Sequence, residues 1–415
     1  MEKIFGSDGF RSEFGKQYNT FEAINTFAKS LTFLKLLKKN NFPVLIGRDS
    51  RESGKIVENI LCSNLTYAGI NVCCVGVISS PAISSILRAK KFSLGVMITA
   101  SHNPAKDNGI KLFSNNGFKL EKKYENEIEK KIIYNIHKKL KYKKNIGKSF
   151  SIFEPYKIYL DSLSSIKFSN TLSEKILIDA SNGSSSEALK YIFKRKKNIK
   201  IINASPNGKN INKNCGALHP QLLLKKVRKY NFDYGIAFDG DGDRAIFVEK
   251  EIGEIQTEKL IVFFSLFSKK KYVVSSEICN LSLKKNLSIF KKKLIETQVG
   301  DRHVIDKTIK LKTFMGAEPS GHYFFSSPAN TMDGLAALFM FFKLLDKYGK
   351  SLSKEIYSLS HCKRIKKNYK YSSNNLKKID RIKKEISHLL DHENEKLIIR
   401  KSMWDPLIRV YYDYE

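Results

Sequence analysis

Phe42-Pro43-Val44-Leu45-Ile46-Gly47 runs directly into Arg48-Asp49-Ser50-Arg51-Glu52-Ser53-Gly54. The first six residues are an apolar stretch of strand length, and the next seven are a polar turn. A helical stretch follows, then a second apolar strand, Ile70–Val77. Strand, polar turn, helix and strand in that order form an α/β unit and predict a mainly parallel sheet. The rhythm returns twice. Lys175–Ala180 leads into Ser181–Ser186, a helix near Glu187–Lys194 and the strand Ile201–Asn203. Tyr272–Ser275 leads into Glu277–Leu281, a helix and a short strand near Leu294–Thr297. Three such units, spaced about a domain's length apart, predict three similar mixed-sheet α/β domains. A helix at Leu376–Leu390 and a strand pair at Lys396–Lys401 and Leu407–Tyr412 predict a smaller C-terminal α+β domain. Lysine-rich runs at Lys138–Lys148 and Lys363–Asn375 are boundary candidates, and together with the three repeated units they divide the chain into 1–150, 151–252, 253–362 and 363–415.

Composition narrows the class. A chain of 415 residues exceeds what one core supports, and 42% hydrophobic with 11% aromatic residues excludes a disordered protein. Leu335–Phe342 is among the longest apolar runs and stops at eight residues, short of the ~18 of a membrane span. The opening Met1-Glu2-Lys3-Ile4-Phe5-Gly6-Ser7-Asp8 lacks the apolar core of a secretory signal. Six cysteines form no C-x-x-C pair, so neither a zinc site nor a disulfide framework is expected. A cytoplasmic protein with no membrane partner follows as the expectation.

The formal net charge is +33, which invites a nucleic-acid reading. Of the 74 basic residues, however, 12 are arginine and 62 are lysine. Interfaces that read bases favour the planar fork of arginine, and no basic motif interleaved with aromatics is present. A/T-rich coding accounts for the lysine surplus without a polyanion, so no nucleic-acid partner is expected.

Three stretches carry chemistry. Asp239-Gly240-Asp241-Gly242-Asp243-Arg244 lies between the apolar strands Tyr234–Phe238 and Ala245–Glu249. Carboxylates alternating with glycine can converge on one hard cation, because glycine lets the loop fold tightly. A calcium EF-hand loop is excluded, since its sixth position would be Arg244 and its twelfth Lys250. A solvated acidic turn is the remaining alternative; a strand on each side favours the metal loop. Three protein ligands leave room for water or a phosphate oxygen, which favours Mg²⁺ over Ca²⁺.

Thr99-Ala100-Ser101-His102-Asn103-Pro104 follows the strand Leu94–Ile98. Ser101 at a strand end beside His102 is placed to be a nucleophile or phosphate carrier, or else to cap a helix. The stretch is not a G-x-S-x-G elbow, which disfavours acyl transfer. Asp107-Asn108-Gly109-Ile110-Lys111 brings Lys111 near the same loop. Gly316-Ala317-Glu318-Pro319-Ser320-Gly321-His322 gathers an acid, a hydroxyl and an imidazole that suit sugar hydroxyls, although a Pro-Gly turn also explains it. Gly47–Lys55 is not a P-loop: six residues separate its glycines instead of four, and Ile56 follows the lysine.

Taken in order, these stretches resemble the α-D-phosphohexomutase superfamily, most closely its bacterial phosphoglucosamine mutase branch. Phe5-Gly6-Ser7-Asp8-Gly9-Phe10-Arg11 resembles the opening G-T-D-G-[IV]-R, and Gly47–Gly54, Thr99–Pro104 and Asp239–Arg244 follow in family order. Pro206-Asn207-Gly208-Lys209-Asn210-Ile211-Asn212 with Cys215-Gly216, and Val299-Gly300-Asp301-Arg302, are similar to that branch. The resemblance implies four domains around a central cleft and an isomerase interconverting glucosamine 6-phosphate and glucosamine 1-phosphate, which feeds UDP-N-acetylglucosamine and cell-wall synthesis. Phosphomannomutase or phosphoglucomutase activity is the alternative. Ser101 would be the phosphoserine, and its phosphate with Asp239, Asp241 and Asp243 would hold one Mg²⁺. Arg11, His102 and Lys111 would line the transfer site, with Lys111 or His102 moving the proton. Arg244 and Arg302 would hold phosphate, and Glu318, Ser320 and His322 would grip sugar hydroxyls. Arg400, Ser402 and Arg409 would clamp the non-reacting phosphate. A hexosamine 1,6-bisphosphate would be activator and intermediate, the partner a small phosphorylated sugar, and the protein a monomer or homodimer.

The clamp departs from the family's R-x-S-G-T-E-P. Here it reads Arg400-Lys401-Ser402-Met403-Trp404-Asp405-Pro406, followed by Leu407-Ile408-Arg409. Ser80-Pro81 stands where Thr-Pro is usual, and Met332-Asp333-Gly334 where Gly-Asp-Gly is usual. Ala317 replaces a common glycine, and Pro319 a glutamine.

Overall fold

The computed structural model describes residues 4–6, 8–39, 41–135, 145–169, 172–370, 381, 385, 390–391, 394–401 and 407–414. Ser7, most of the Lys138–Lys148 run, most of the expected helix Leu376–Leu390 and the clamp residues Ser402 to Pro406 lie outside them. The chain forms two compact units. One is Met1–Ile255 with Ser320–Gly349, and the other is Gln256–Pro319 with Lys350–Glu415.

The opening α/β unit of the first body folds as its pattern predicts. Val44–Arg48 pairs in parallel with Val72–Val77 on one side and Leu94–Ile98 on the other. Their alternate faces are both covered, as continuous apolar runs require. Asp107–Ser114 then returns antiparallel against Leu94–Ile98 and against Phe10–Glu13, which makes the sheet mixed. The order is Phe10–Glu13, Asp107–Ser114, Leu94–Ile98, Val44–Arg48, Val72–Val77 and Ser149–Phe150. Phe10, Phe27, Ile46, Leu61, Val96 and Ile98 belong to the core that this sheet shares with its helices.

A second sheet runs in the order Gly253–Ile255, Ala245–Glu249, Tyr234–Phe238, Ile176–Asp179 and Ile199–Ile202. Tyr234–Phe238 and Ala245–Glu249 are antiparallel, with Phe238 opposite Ala245, so residues 239–244 form the tight connection between them. The apolar run Leu335–Phe342 is buried throughout and lies in the helix Gly334–Tyr348. Phe341 packs on Tyr234 and Phe247 at centroid distances of 5.2 and 4.8 Å, and Phe342 packs on Phe168 and Phe193 at 5.2 and 5.8 Å. A helix apolar all round is a buried helix. No described helix is long and apolar enough to cross a membrane.

In the second body, Lys293–Thr297, Tyr272–Ser276 and Met315–Glu318 make a parallel set around the third α/β unit. The last sheet holds three antiparallel strands, Lys363–Lys370, Leu407–Tyr414 and Glu395–Lys401, where the sequence predicted two. The third comes from the run read as a boundary. Lys363–Lys370 is an exposed edge strand, and lysines along an edge keep it from pairing with other chains, so the run looks like a linker in sequence.

Candidate active site: a buried serine beside three aspartates

Ser101 follows the strand Leu94–Ile98 and precedes Asp107–Ser114 with no helix between, so it caps none. It is fully buried and sits in the left-handed region at φ 51°. Its Oγ donates to Asp239 Oδ2 at 2.6 Å and lies 3.3 Å from His102 Nδ1. A serine and a carboxylate 138 positions apart thus meet because one lies at a strand end of the first sheet and the other on a strand connection of the second.

The Asp239–Arg244 connection folds on its own carboxylate: Asp239 Oδ1 accepts from the amides of Gly242 at 3.1 Å and Arg244 at 3.2 Å. Gly240 is required, since a Cβ there would come within 2.6 Å of the Ser101 carbonyl. Asp239, Asp241 and Asp243 are all buried, and their ligand atoms lie within 4.8 Å of one another. Burial, then the charges of Asp243 and Asp241, push the Asp239 carboxyl well above its ordinary range. Asp241 Oδ1 is buried with no hydrogen-bond donor. An electron-rich, dry cluster with an unsatisfied oxygen fits a small divalent cation with oxygen preference.

Lys111 enters the same cluster. Its Nζ lies 2.7 Å from Asp241, 2.7 Å from Asp243 and 2.9 Å from Asp8. Burial opposes its charge, but Asp241, Asp243 and Asp8 outweigh it and hold the ammonium well above its ordinary range. Asp8 also pairs with Arg11 at 2.7 Å and with Lys119. Burial works against the Asp243 carboxylate too, yet Lys111 and His322 keep it well below the usual range. His102 goes the other way: burial first, then Arg244 and Arg11, push it down to about 2, so it is a neutral imidazole. His322 Nε2 lies 3.1 Å from Arg244 Nε and 3.2 Å from Asp243, and its Nδ1 lies 2.8 Å from Ser320 Oγ. The first body therefore gathers Arg11, Ser101, His102, Lys111, the three aspartates, Arg244, Ser320 and His322.

The remaining candidates lie in the second body. Glu318 Oε1 accepts from the Gly300 amide at 2.9 Å, which ties the Val299–Arg302 turn to the strand Met315–Glu318. Arg400 and Arg409 face each other on paired strands, and Arg400 Nε is buried without an acceptor. Two like charges directly opposite are unfavourable alone and suit a shared anion. Ser402 lies outside the described residues.

Several neighbours of the site carried no role in the sequence reading: Asp8, Asp49, Arg51, Ser80 and Asn212. All lie inside stretches named there, Ser80 as part of Ser80-Pro81. For Asp49 and Arg51 the signal was charge in a polar turn directly after the apolar strand Val44–Arg48. Ser80 donates its hydroxyl to Asp241 Oδ2 and its amide to the Asp241 carbonyl. Serine in place of the usual threonine keeps that hydroxyl.

Family models named phosphoglucomutase/phosphomannomutase, alpha/beta/alpha domains I, II and III match residues 2–138, 157–253 and 259–361. A phosphoglucosamine mutase of Fusobacterium nucleatum is 34% identical over 99% of this chain and 94% of its own. A phosphoglucomutase/phosphomannomutase family protein of Burkholderia thailandensis shares the fold at TM-score 0.84 and 20% identity, over 99% of this chain and 93% of that one. An N-acetylphosphoglucosamine mutase of Aspergillus fumigatus, solved in complex with GlcNAc-6P and magnesium, shares it at TM-score 0.65 and 15% identity, over 99% and 92%. With three family domains in order along a chain whose serine and three aspartates meet in one buried cluster, this protein belongs to the phosphoglucomutase/phosphomannomutase family, the phosphohexomutase isomerases.

Proposed function

We propose that this isomerase interconverts glucosamine 6-phosphate and glucosamine 1-phosphate through phosphoserine 101 and a hexosamine 1,6-bisphosphate, a cytoplasmic step toward UDP-N-acetylglucosamine. The observation that carries the reading is Ser101 Oγ held 2.6 Å from Asp239 inside the buried carboxylate cluster. The similarity to the Fusobacterium enzyme over almost the whole chain supports the amino-sugar substrate, and six free cysteines fit a reducing compartment.

Phosphoryl transfer needs placement and charge neutralisation more than covalent chemistry. Asp239, Asp241 and Asp243 would hold Mg²⁺, which when bound supplies positive charge to the phosphoryl oxygens. Arg11 and Arg244 add fixed positive charge on the same side. A sugar hydroxyl oxygen bonds to phosphorus as the bond from phosphorus to Ser101 Oγ breaks. The hydroxyl proton passes to an acceptor at the transfer site, His102 or a carrier linked to Lys111, and the same group returns it to the departing sugar oxygen in the second half-reaction, so no net proton is gained or lost. Glu318, Ser320 and His322 would orient the sugar, and Arg302, Arg400, Ser402 and Arg409 would hold phosphate. Because the bisphosphate must present either end to Ser101, a clamp indifferent to which end it holds is needed.

The test is coupled turnover of glucosamine, glucose and mannose phosphates with Mg²⁺ and a trace of bisphosphate, for wild type and Ser101→Ala. We expect the highest kcat/KM with the amino sugar, and turnover lost in the variant. Intact mass should show one phosphate on wild type and none on Ser101→Ala. Full turnover in the variant would remove the phosphoserine from the mechanism.

A further inference from the structure

Arg51 is among the largest fully buried side chains of the protein, with its partner Asp49 equally buried. Every guanidinium N–H is used. Nε donates to Asp49 Oδ2 at 2.9 Å. One terminal nitrogen donates to the carbonyls of Pro104 and, at 2.8 Å, Asp107. The other donates to the carbonyls of Ser101 at 3.0 Å and Asn103 at 2.8 Å. One side chain thus takes four carbonyls from a single loop, 101 to 107, and that loop carries Ser101.

The same ion pair also reaches the other side of Ser101. Asp49 Oδ2 accepts from Thr99 Oγ1 at 2.6 Å, and Thr99 Oγ1 accepts the Ser101 amide at 2.8 Å. The circuit closes: Ser101 N–H to Thr99, Thr99 to Asp49, Asp49 to Arg51, and Arg51 back to the Ser101 carbonyl. Asn212 adds a second donor to that carbonyl at 2.8 Å. Ser101 needs this bracing. A non-glycine residue at φ 51° is in a sparsely populated conformation that persists only where its surroundings over-determine it. An extended Ser101 would point its hydroxyl elsewhere, since the left-handed backbone sets the direction of its Cβ.

We propose that Arg51, acting through Asp49 and Thr99, is the positioning residue that holds Ser101 in its left-handed conformation and so aims its hydroxyl at the aspartate cluster. This rests on the reading of Ser101 as phosphoryl carrier. Arg51 touches no reacting atom; its effect is on where the carrier oxygen stands. Lysine cannot take its place, because one ammonium has three donors where the loop and Asp49 use five.

The experiment compares wild type, Arg51→Lys, Thr99→Val and Ser101→Ala, each assayed per folded molecule, with the folded fraction measured by thermal melting and size-exclusion chromatography. Readouts are kcat, KM for the sugar phosphate, and the rate at which glucose 1,6-bisphosphate phosphorylates dephosphorylated enzyme, followed by intact mass. Displacing a reacting group by about 1 Å costs on the order of 100-fold. Arg51→Lys and Thr99→Val are therefore expected to lose about 30- to 100-fold in kcat and in phosphorylation rate, with KM within about threefold of wild type. A purely structural role would lower the melting temperature and leave the kcat of the folded fraction unchanged; that result overturns the proposal. Should Arg51→Lys fail to fold, Thr99→Val decides, since it keeps the buried ion pair and removes only the hydroxyl that links Asp49 to the Ser101 amide. Inactive Ser101→Ala with wild-type-like kcat in Thr99→Val sinks the positioning role alone. Active Ser101→Ala sinks it together with the phosphoserine reading.

Discussion

Lys111 shows how much a single residue carries. Its ammonium is buried among three carboxylates, so removing it leaves Asp8, Asp241 and Asp243 facing one another without their shared counter-ion. Losing one partner of a buried ionic group costs about 3–5 kcal/mol, because the other charges stay desolvated. Lys111→Met is therefore expected to lose that much in chemical denaturation with EDTA, and to recover part of it in excess Mg²⁺. Equal losses with and without Mg²⁺ would argue against a cation in the cluster. Arg400 and Arg409 make a complementary case on the proposal that they hold a phosphate of the sugar. Each arginine-to-alanine change should raise KM about 10- to 100-fold, the loss of a charge-assisted hydrogen bond of roughly 1.5–3 kcal/mol. Melting temperature should hold or rise, since the variant no longer places two cations opposite each other. At this scale the sequence was most informative where one motif held all three carboxylates of a cluster, as in Asp239–Arg244. It was silent on Arg51 and Asp8, whose importance lies in carbonyls and ammoniums far along the chain.

The helix Gly334–Tyr348 carries the argument at the scale of an element. Its apolar run was visible in the sequence, but its purpose was not, because every partner is distant: Phe168, Phe193, Tyr234 and Phe247. Its first turn is fixed by Asp333, which caps the Ala336 amide at 2.9 Å and accepts from Tyr159 at 2.6 Å. Gly334 donates its amide to the Gly242 carbonyl at 3.1 Å, so the helix start braces the metal loop from behind. A Cβ on Gly334 would stand 2.6 Å from the Arg244 carbonyl oxygen. Alanine would favour the helix by about 1 kcal/mol, and the clash costs about 1–3 kcal/mol, so the clash wins. Gly334→Ala should melt lower and bind Mg²⁺ more weakly, as read by calorimetric titration. Asp333 adds a pH signature. Burial pushes its carboxyl up to about 6, against hydrogen bonds from Tyr159 and the helix amides. The folded state thus binds the proton more tightly than the unfolded chain, so this contribution is full below about pH 4 and is lost as pH rises through about 6. Asparagine can keep both hydrogen bonds and never ionises. Between pH 4 and 7.5, Asp333→Asn should therefore improve against wild type by up to roughly 3 kcal/mol. A stability difference that stays flat over that range would show that Asp333 does not titrate as its surroundings demand.

The net charge of +33 belongs to the molecule as a whole. The arginines are few, and several sit in polar clusters: Arg11 and Arg244 at the aspartate cluster, Arg51 in a buried ion pair, Arg364 in a partly buried one, and Arg400 opposite Arg409. Exposed lysine pairs such as Lys16 with Glu13 or Lys190 with Glu187 contribute little to stability. The lysine excess therefore does not explain the fold, yet its field still acts on what diffuses toward the protein. A dianionic sugar phosphate approaching a strongly positive molecule should be captured faster at low ionic strength. The screening length falls from about 30 Å at 10 mM salt to about 8 Å at 150 mM. Over that range kcat/KM should drop several-fold while kcat stays level, because the groups that act during transfer are buried and little screened. Potassium chloride titrations of both parameters make the measurement, with total Mg²⁺ held saturating so that metal occupancy does not follow the salt. A parallel fall in kcat would place the salt effect inside the site. No change in either would leave the lysine excess without a part in substrate capture, as A/T-rich coding alone would have it.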